Sequence, residues 1–92
     1  MYRNTLACLN VPTQRGEAGA ADIQQEFAKR PWHENVRCVW DGKELLLHAD
    51  SDWDAEGKAL VDEFSDSISA CIDDAFDAEI EIRSVSSAPD GA

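Results

Sequence analysis

Four short segments of the chain alternate apolar with polar residues or are rich in β-branched and aromatic ones, and each predicts a β-strand. The four predicted strands span residues 5–11, 36–40, 44–49 and 78–85. Pro12 ends the first of them. The pair Asp41-Gly42 separates the second strand from the third, and a pair of this kind predicts a tight β-hairpin.

The last predicted strand has the clearest alternation. Ile80 and Ile82 are expected to point inward, and the residues between and beside them are expected to face solvent. These outward residues are Glu79, Glu81 and Arg83.

Two longer segments repeat apolar residues at spacings of three and four, which predicts amphipathic helices. The first helix is expected at about residues 19–30, where Pro31 stops it. The second is expected to begin near Ser51 or Asp52 and to end near Asp77. Its predicted inward stripe consists of Trp53, Gly57, Leu60, Val61, Phe64, Ile68, Cys71, Ile72 and Ala75.

The resulting order is strand, helix, strand, strand, helix, strand. This order predicts an α+β fold of the ferredoxin-like, split βαβ type, in which a four-stranded antiparallel sheet carries both helices on one face. The other face is left open to solvent or to a partner. We expect one domain over residues 1–85, followed by a flexible tail at 86–92.

Charge is distributed unevenly along the chain, whose net charge is −11. Residues 1–49 contain six acids and six bases, whereas residues 50–92 contain thirteen acids and only Lys58 and Arg83 as bases. Such a field repels free nucleic acid and anionic membranes, and it accelerates encounters with cationic surfaces.

Three cysteines, Cys8, Cys38 and Cys71, cannot all pair within one chain, and each has apolar neighbours. We therefore expect buried free thiols and a reducing compartment. The sequence has no apolar run of membrane-spanning length and no secretory signal pattern, so a cytoplasmic location is expected.

No catalytic motif is evident. His33 and His48 lie near no sequence pattern for a nucleophile, and the glycines do not form a dinucleotide-binding loop. Residues 50–61 begin like a calcium loop but have Ala55 and Val61 where glycine and glutamate are required. We expect a non-enzymatic protein without a cofactor or a dedicated metal site, while weak divalent binding by the acidic cluster stays open.

The acids of the second predicted helix are placed away from its apolar stripe. Their spacing predicts one acidic face, and exposed Trp32 is expected to add an aromatic contact. The predicted partner-binding residues are Asp62, Glu63, Asp66, Asp73, Asp74, Asp77 and Trp32. The predicted partner is a cationic protein surface that normally binds DNA or RNA. The alternative is that this face is acidic only for solubility.

In size, charge and predicted fold the chain resembles the phage anti-CRISPR proteins, especially the inhibitors of type I effector complexes. The resemblance is one of profile and involves no shared motif. It implies a viral protein that acts in the host cytoplasm as a stoichiometric inhibitor and nucleic-acid mimic. Two alternatives stay open: an immunity protein that neutralises a basic nuclease toxin, and a dimeric ferredoxin-like module that binds a small ligand. The sequence leaves monomer and homodimer equally open.

Overall fold

The computed structural model describes residues 2–30, 32–72 and 77–87. A short 3-10 turn, Thr13–Arg15, precedes the first helix. The strands and helices are β1 (Tyr2–Leu9), α1 (Gly16–Phe27), β2 (Glu34–Trp40), β3 (Leu45–Ser51), α2 (Lys58–Cys71) and β4 (Glu79–Ser87). The predicted order of elements is therefore confirmed.

The four strands form one antiparallel sheet in the order β2-β3-β1-β4. This arrangement is the α+β, ferredoxin-like type that the sequence predicted. The β2–β3 hairpin is also confirmed. Asp41 Oδ1 accepts hydrogen bonds from the backbone N–H groups of Lys43 and Glu44, at 2.9 and 2.7 Å, and Gly42 takes a φ of +95° that suits glycine.

The hydrophobic core lies between the sheet and the two helices. Alternate residues of β1 and β3 point into it because successive side chains of a strand face opposite sides. Its fully buried members of largest volume include Leu6, Leu45, Leu47, Ile23, Phe27, Leu60 and Phe64. Trp40 closes one end, where its indole ring lies so near Gly16 that a Cβ on this glycine would be 2.1 Å from the ring.

The second helix is shorter than predicted, and both predicted ends are wrong. Ser51 continues β3, where it pairs with Tyr2. The helix starts after Gly57, which has a φ of +75°. Asp54 caps it, because the Asp54 carboxylate accepts the N–H groups of the first turn at 3.0 and 3.3 Å. The helix ends at Cys71, since Ile72 has left helical geometry.

β4 is an edge strand, and its burial differs from the predicted pattern. Ile80 packs against the core as expected. Ile82 lies on the helix side, opposite Leu6, but 46% of its surface is exposed. The helices leave the edge of the sheet partly uncovered there, and the β1–β4 register shifts between Thr5 and Leu6. The strand continues to Ser87, and residues 88–92 of the predicted tail lie outside the described residues.

All three cysteines are free thiols. Burial raises the pKa of Cys8 to about 11 and that of Cys38 to about 12, so both remain protonated at neutral pH. Cys71 is only half-buried. None of the helices described is both long enough and apolar enough to cross a membrane.

The open face of the sheet is organised by ion pairs. Asp50, which is 2% exposed, accepts two hydrogen bonds from Arg3, at 2.9 and 3.0 Å, and one from Asn35 at 2.9 Å. Arg83 forms a similar two-bonded pair with Glu44, at 2.8 and 3.2 Å. The hydrogen bonds from Arg3 are the main reason that the pKa of Asp50 is lowered.

The lowered pKa predicts how the Asp50→Asn variant responds to pH. A carboxyl group with a depressed folded-state pKa contributes stability above its ordinary pKa of about 3.9, and this contribution is lost as the pH falls toward the folded value. We expect the variant to unfold at a lower urea concentration than the wild type at about pH 7, with the gap narrowing toward about pH 3. A gap of constant size across this range would contradict the prediction.

Candidate functional site

Glu63 joins α2 to the segment that connects α1 with β2. Its Oε1 accepts a hydrogen bond of 3.0 Å from Trp32 Nε1 and lies 3.3 Å from Arg30 Nε. Its Oε2 contacts His33 Nε2. The structure therefore brings together Glu63 and Trp32, two of the predicted partner-binding residues, but it places the Glu63 carboxylate in contacts within the chain.

His33 is buried at the centre of this junction, in contrast to the half-exposed Trp32 and Trp53 beside it. Its ring lies 5.8 Å from Phe27, 6.4 Å from Trp32 and 5.6 Å from Trp53, measured between ring centroids. The contact with Glu63 provides the polar partner that a buried imidazole requires. His33 thus supports the junction from inside.

Two tryptophans flank the junction on its outer side. Trp32 is 50% exposed, as predicted, and Trp53 is 49% exposed. The prediction that Trp53 faces inward is wrong, because it precedes α2 and helical spacing does not apply to it. Trp53 Nε1 lies 3.4 Å from the carbonyl oxygen of Trp32, to which it donates. Two large, half-exposed rings are therefore held at the surface next to His33, and exposed rings of this kind are typical of interface residues.

Asp62 and Asp66 are exposed on α2, one helical turn apart. Neither side chain makes a hydrogen bond or an ion pair with any residue in the ranges 2–30, 32–72 and 77–87. In the sequence, Asp62 immediately precedes Glu63, and Asp66 follows Glu63 by three residues. We call Trp32, Trp53, Asp62, Glu63 and Asp66 the acidic–aromatic surface.

Asp77, a further predicted acid, does not extend this surface along α2. Asp77 is exposed but lies in the turn before β4, where its carbonyl oxygen accepts a hydrogen bond of 3.2 Å from Asn10 Nδ2. Since α2 ends at Cys71, the expectation that Asp77 shares a helical face with Asp62 is wrong. Asp73 and Asp74 lie outside the described residues.

Helix α1 contributes acids that the sequence analysis did not include. The pKa of Cys71 is raised first by burial and then by the negative charges of Glu26 and Asp22. These two acids of α1 therefore lie near the end of α2, together with Lys29 and Arg30, whose charges lower the pKa of Cys71 and which pair with Glu26. Their spacing of four residues placed them on one side of α1, but only the packing of the helices shows that this side adjoins α2.

The acidic–aromatic surface has the chemistry of a binding surface. It offers two exposed carboxylates and two amphipathic rings, and within the described ranges no group of three or more His, Cys, Asp or Glu residues could hold a metal ion. Comparison with known proteins found no matching family model, no similar curated protein and no similar solved structure.

The contacts of Glu63 predict a structural role that Asp66 does not share. Glu63→Ala removes the acceptor of Trp32 and the partner of buried His33, so we expect a loss of about 1–3 kcal/mol in the free energy of unfolding. The matched control, Asp66→Ala on the same helix, should leave the unfolding midpoint almost unchanged. Chemical denaturation followed by circular dichroism measures both, and equal effects would show that the contacts of Glu63 contribute nothing.

Proposed function

We propose that this protein is a non-enzymatic inhibitor that binds a cationic surface of a partner protein, one that otherwise holds DNA or RNA. The contact is made through the acidic–aromatic surface. The observation that supports this most directly is that Asp62 and Asp66 are exposed, that their carboxylates lack a partner among the described residues, and that they lie beside Glu63 on α2, to which half-exposed Trp32 donates a hydrogen bond.

Charge placement favours a binding role over solubility alone. Two aspartates one turn apart repel each other and destabilise a helix by a few tenths of a kcal/mol. A surface kept only for solubility mixes charges of both signs, and Lys58 is the one base within α2. A cationic partner would turn this repulsion into attraction and would accelerate association.

The spacing of the carboxylates is compatible with nucleic-acid mimicry. At a rise of about 1.5 Å per residue, Asp62 and Asp66 are separated by about 6 Å along the helix axis. Alternate phosphates of one DNA strand are separated by about 7 Å along its axis. A groove that positions arginines and lysines for a phosphate backbone would thus meet carboxylates at a similar interval.

The tryptophans supply affinity that charge alone does not. Each indole N–H is engaged within the chain, Trp32 with Glu63 and Trp53 with the Trp32 carbonyl oxygen. Both rings are therefore oriented before a partner arrives, which reduces the entropy lost on binding. Large rings of this kind are enriched among the residues that dominate interface energies.

In specific terms we propose an anti-CRISPR protein of phage origin that acts on a type I effector complex in the host cytoplasm. The chain's charge, size and ferredoxin-like fold support this class. The same features support an immunity protein against a basic nuclease, which is the alternative.

Competition assays separate the two: the protein should block target-DNA binding by a purified type I complex and should not inhibit basic nucleases. The opposite result would favour the immunity protein.

The charge argument predicts the behaviour of the double variant Asp62→Asn, Asp66→Asn. We expect it to fold as the wild type does and to bind the cationic partner more weakly, with a smaller dependence of affinity on salt, because exposed charges are screened over about 8 Å at physiological ionic strength. Isothermal titration at two salt concentrations measures both effects. The control double variant, Glu34→Gln, Glu79→Gln, makes the same change in net charge, but on the sheet. An equal loss of affinity in both double variants would contradict binding through the acidic–aromatic surface.

The net charge also predicts that the protein does not bind free DNA or RNA at physiological salt. Its excess of acids repels a polyanion, since nucleic-acid affinity depends largely on neutralising phosphates. An electrophoretic mobility-shift assay with single- and double-stranded probes is the measurement. Submicromolar binding would overturn the proposed mode of action.

A further inference from the structure

A concavity of about 460 Å³ lies on the open face of the sheet, opposite the helices. This volume is within the range of about 300–1,000 Å³ that is typical of small-ligand sites. Its lining comes from three neighbouring strands and consists of residues with hydrogen-bond donors. These residues are Arg3, Thr5, Asn35, Arg37 and His48.

Buried Asp50 holds two of the lining side chains in place. Its Oδ1 accepts from Arg3 Nε and its Oδ2 from Arg3 Nη2 and Asn35 Nδ2, all within 3.0 Å. These contacts occupy the carboxylate and use two of the five N–H groups of the guanidinium. The concavity is therefore lined by hydrogen-bond donors. The negatively charged Asp50 lies beneath them and is only 2% exposed.

A bulge in β2 places Asn35 and Arg37 on this face. The register of β2 with β3 shifts between Glu34 and Arg37, and Asn35 has a φ of +52°. This backbone conformation is unfavourable for residues other than glycine, although asparagine tolerates it better than most. Bulges commonly redirect a side chain beside a functional site. Here the bulge directs Asn35 to Asp50 and restores Arg37 to the position opposite His48.

Arg37 lines the concavity with an uncompensated positive charge. It is exposed, and its side chain makes no ion pair or hydrogen bond with any other described residue. Its cross-strand partner His48 lies with Nδ1 3.0 Å from Thr5 Oγ1. When Thr5 donates to Nδ1, the proton of the neutral imidazole is on Nε2, which is then a further donor. Glu34 lies opposite Asp50 in the ladder but does not line the concavity.

We propose that this concavity binds the phosphate group of a small phosphomonoester. Donors that converge from three strands suit a tetrahedral anion with several oxygens, and guanidinium groups are well matched to phosphate. The volume exceeds that of the ion alone and leaves room for a small organic group. A polymer of phosphates is excluded from the proposal because the net charge of the chain repels it. This function is separate from the acidic–aromatic surface on the helical side.

Titration of the 15N-labelled protein with inorganic phosphate at constant ionic strength tests the proposal. We expect saturable amide shifts centred on Thr5, Arg37 and His48. Arg37→Gln should weaken binding about tenfold or more, as expected for the loss of a charge-assisted hydrogen bond. The matched control is Arg83→Gln, which removes the same charge from the sheet at an arginine already paired with Glu44 and Glu81; it should change the affinity by less than about twofold. Equal weakening in both variants, or no saturation, would overturn the site.

Four further measurements sharpen the test. Arg37→Gln should unfold at the same midpoint as the wild type. If the midpoint fell together with the phosphate affinity, the weaker binding would be due to lost stability, and the role of Arg37 in binding phosphate would be overturned. Acetate should bind more weakly than phosphate, and equal affinity would overturn the choice of phosphate. A short single-stranded oligonucleotide should not displace phosphate, and displacement would overturn the choice of a small ligand. Asp62→Asn, Asp66→Asn should leave phosphate binding unchanged whatever its effect on a protein partner.

Discussion

The burial of Leu60 and Phe64 against the sheet determines the orientation of α2, and most other features of the helical side follow from that orientation. Both side chains are fully buried. With about 3.6 residues per turn, burying these two positions directs Asp62 and Asp66 to solvent and turns Glu63 sideways. Glu63 then contacts Arg30, Trp32 and His33, which lie in the segment that connects α1 with β2. Hydrophobic packing thus sets the position of the surface that we propose for binding.

The two faces of the molecule differ in how their charges are arranged. On the helical side Asp62 and Asp66 are unpaired among the described residues, whereas Glu26 of α1 is paired with Lys29 and Arg30. On the open face of the sheet two arginines are compensated, in the Arg3–Asp50 and Arg83–Glu44 pairs, whereas the Arg37 side chain has no partner among the described residues. A small domain can in this way present surfaces of opposite character, because a four-stranded sheet separates them.

The acidic surface that the sequence predicted is only partly the one that the structure forms. Asp62 and Asp66 lie on the exposed side of α2, as helical periodicity indicates. Glu63 has the same chemistry but takes part in contacts within the chain, since Trp32 and His33 approach it from a distant part of the sequence. Trp53 joins the surface because α2 begins later than the apolar spacing suggested. Periodicity continued through residues 51–57, but Ser51 completes β3 and Gly57 takes a left-handed conformation, and both prevent a helix there.

Local patterns determined the order of strands and helices, the hairpin at Asp41-Gly42 and the central stripe of α2. These depend on interactions between residues close in sequence, namely the alternation of strands, the spacing of helices and the conformational freedom of glycine. The contacts that give the protein its candidate sites join residues far apart in sequence: Glu63 with Trp32, Asp50 with Arg3, His48 with Thr5. Only the tertiary structure decides these, because a side chain's partners depend on which strands pair and in what register. For the same reason the sequence showed how many acids there are and where they cluster, whereas the fold decided which carboxylates remain available to a partner.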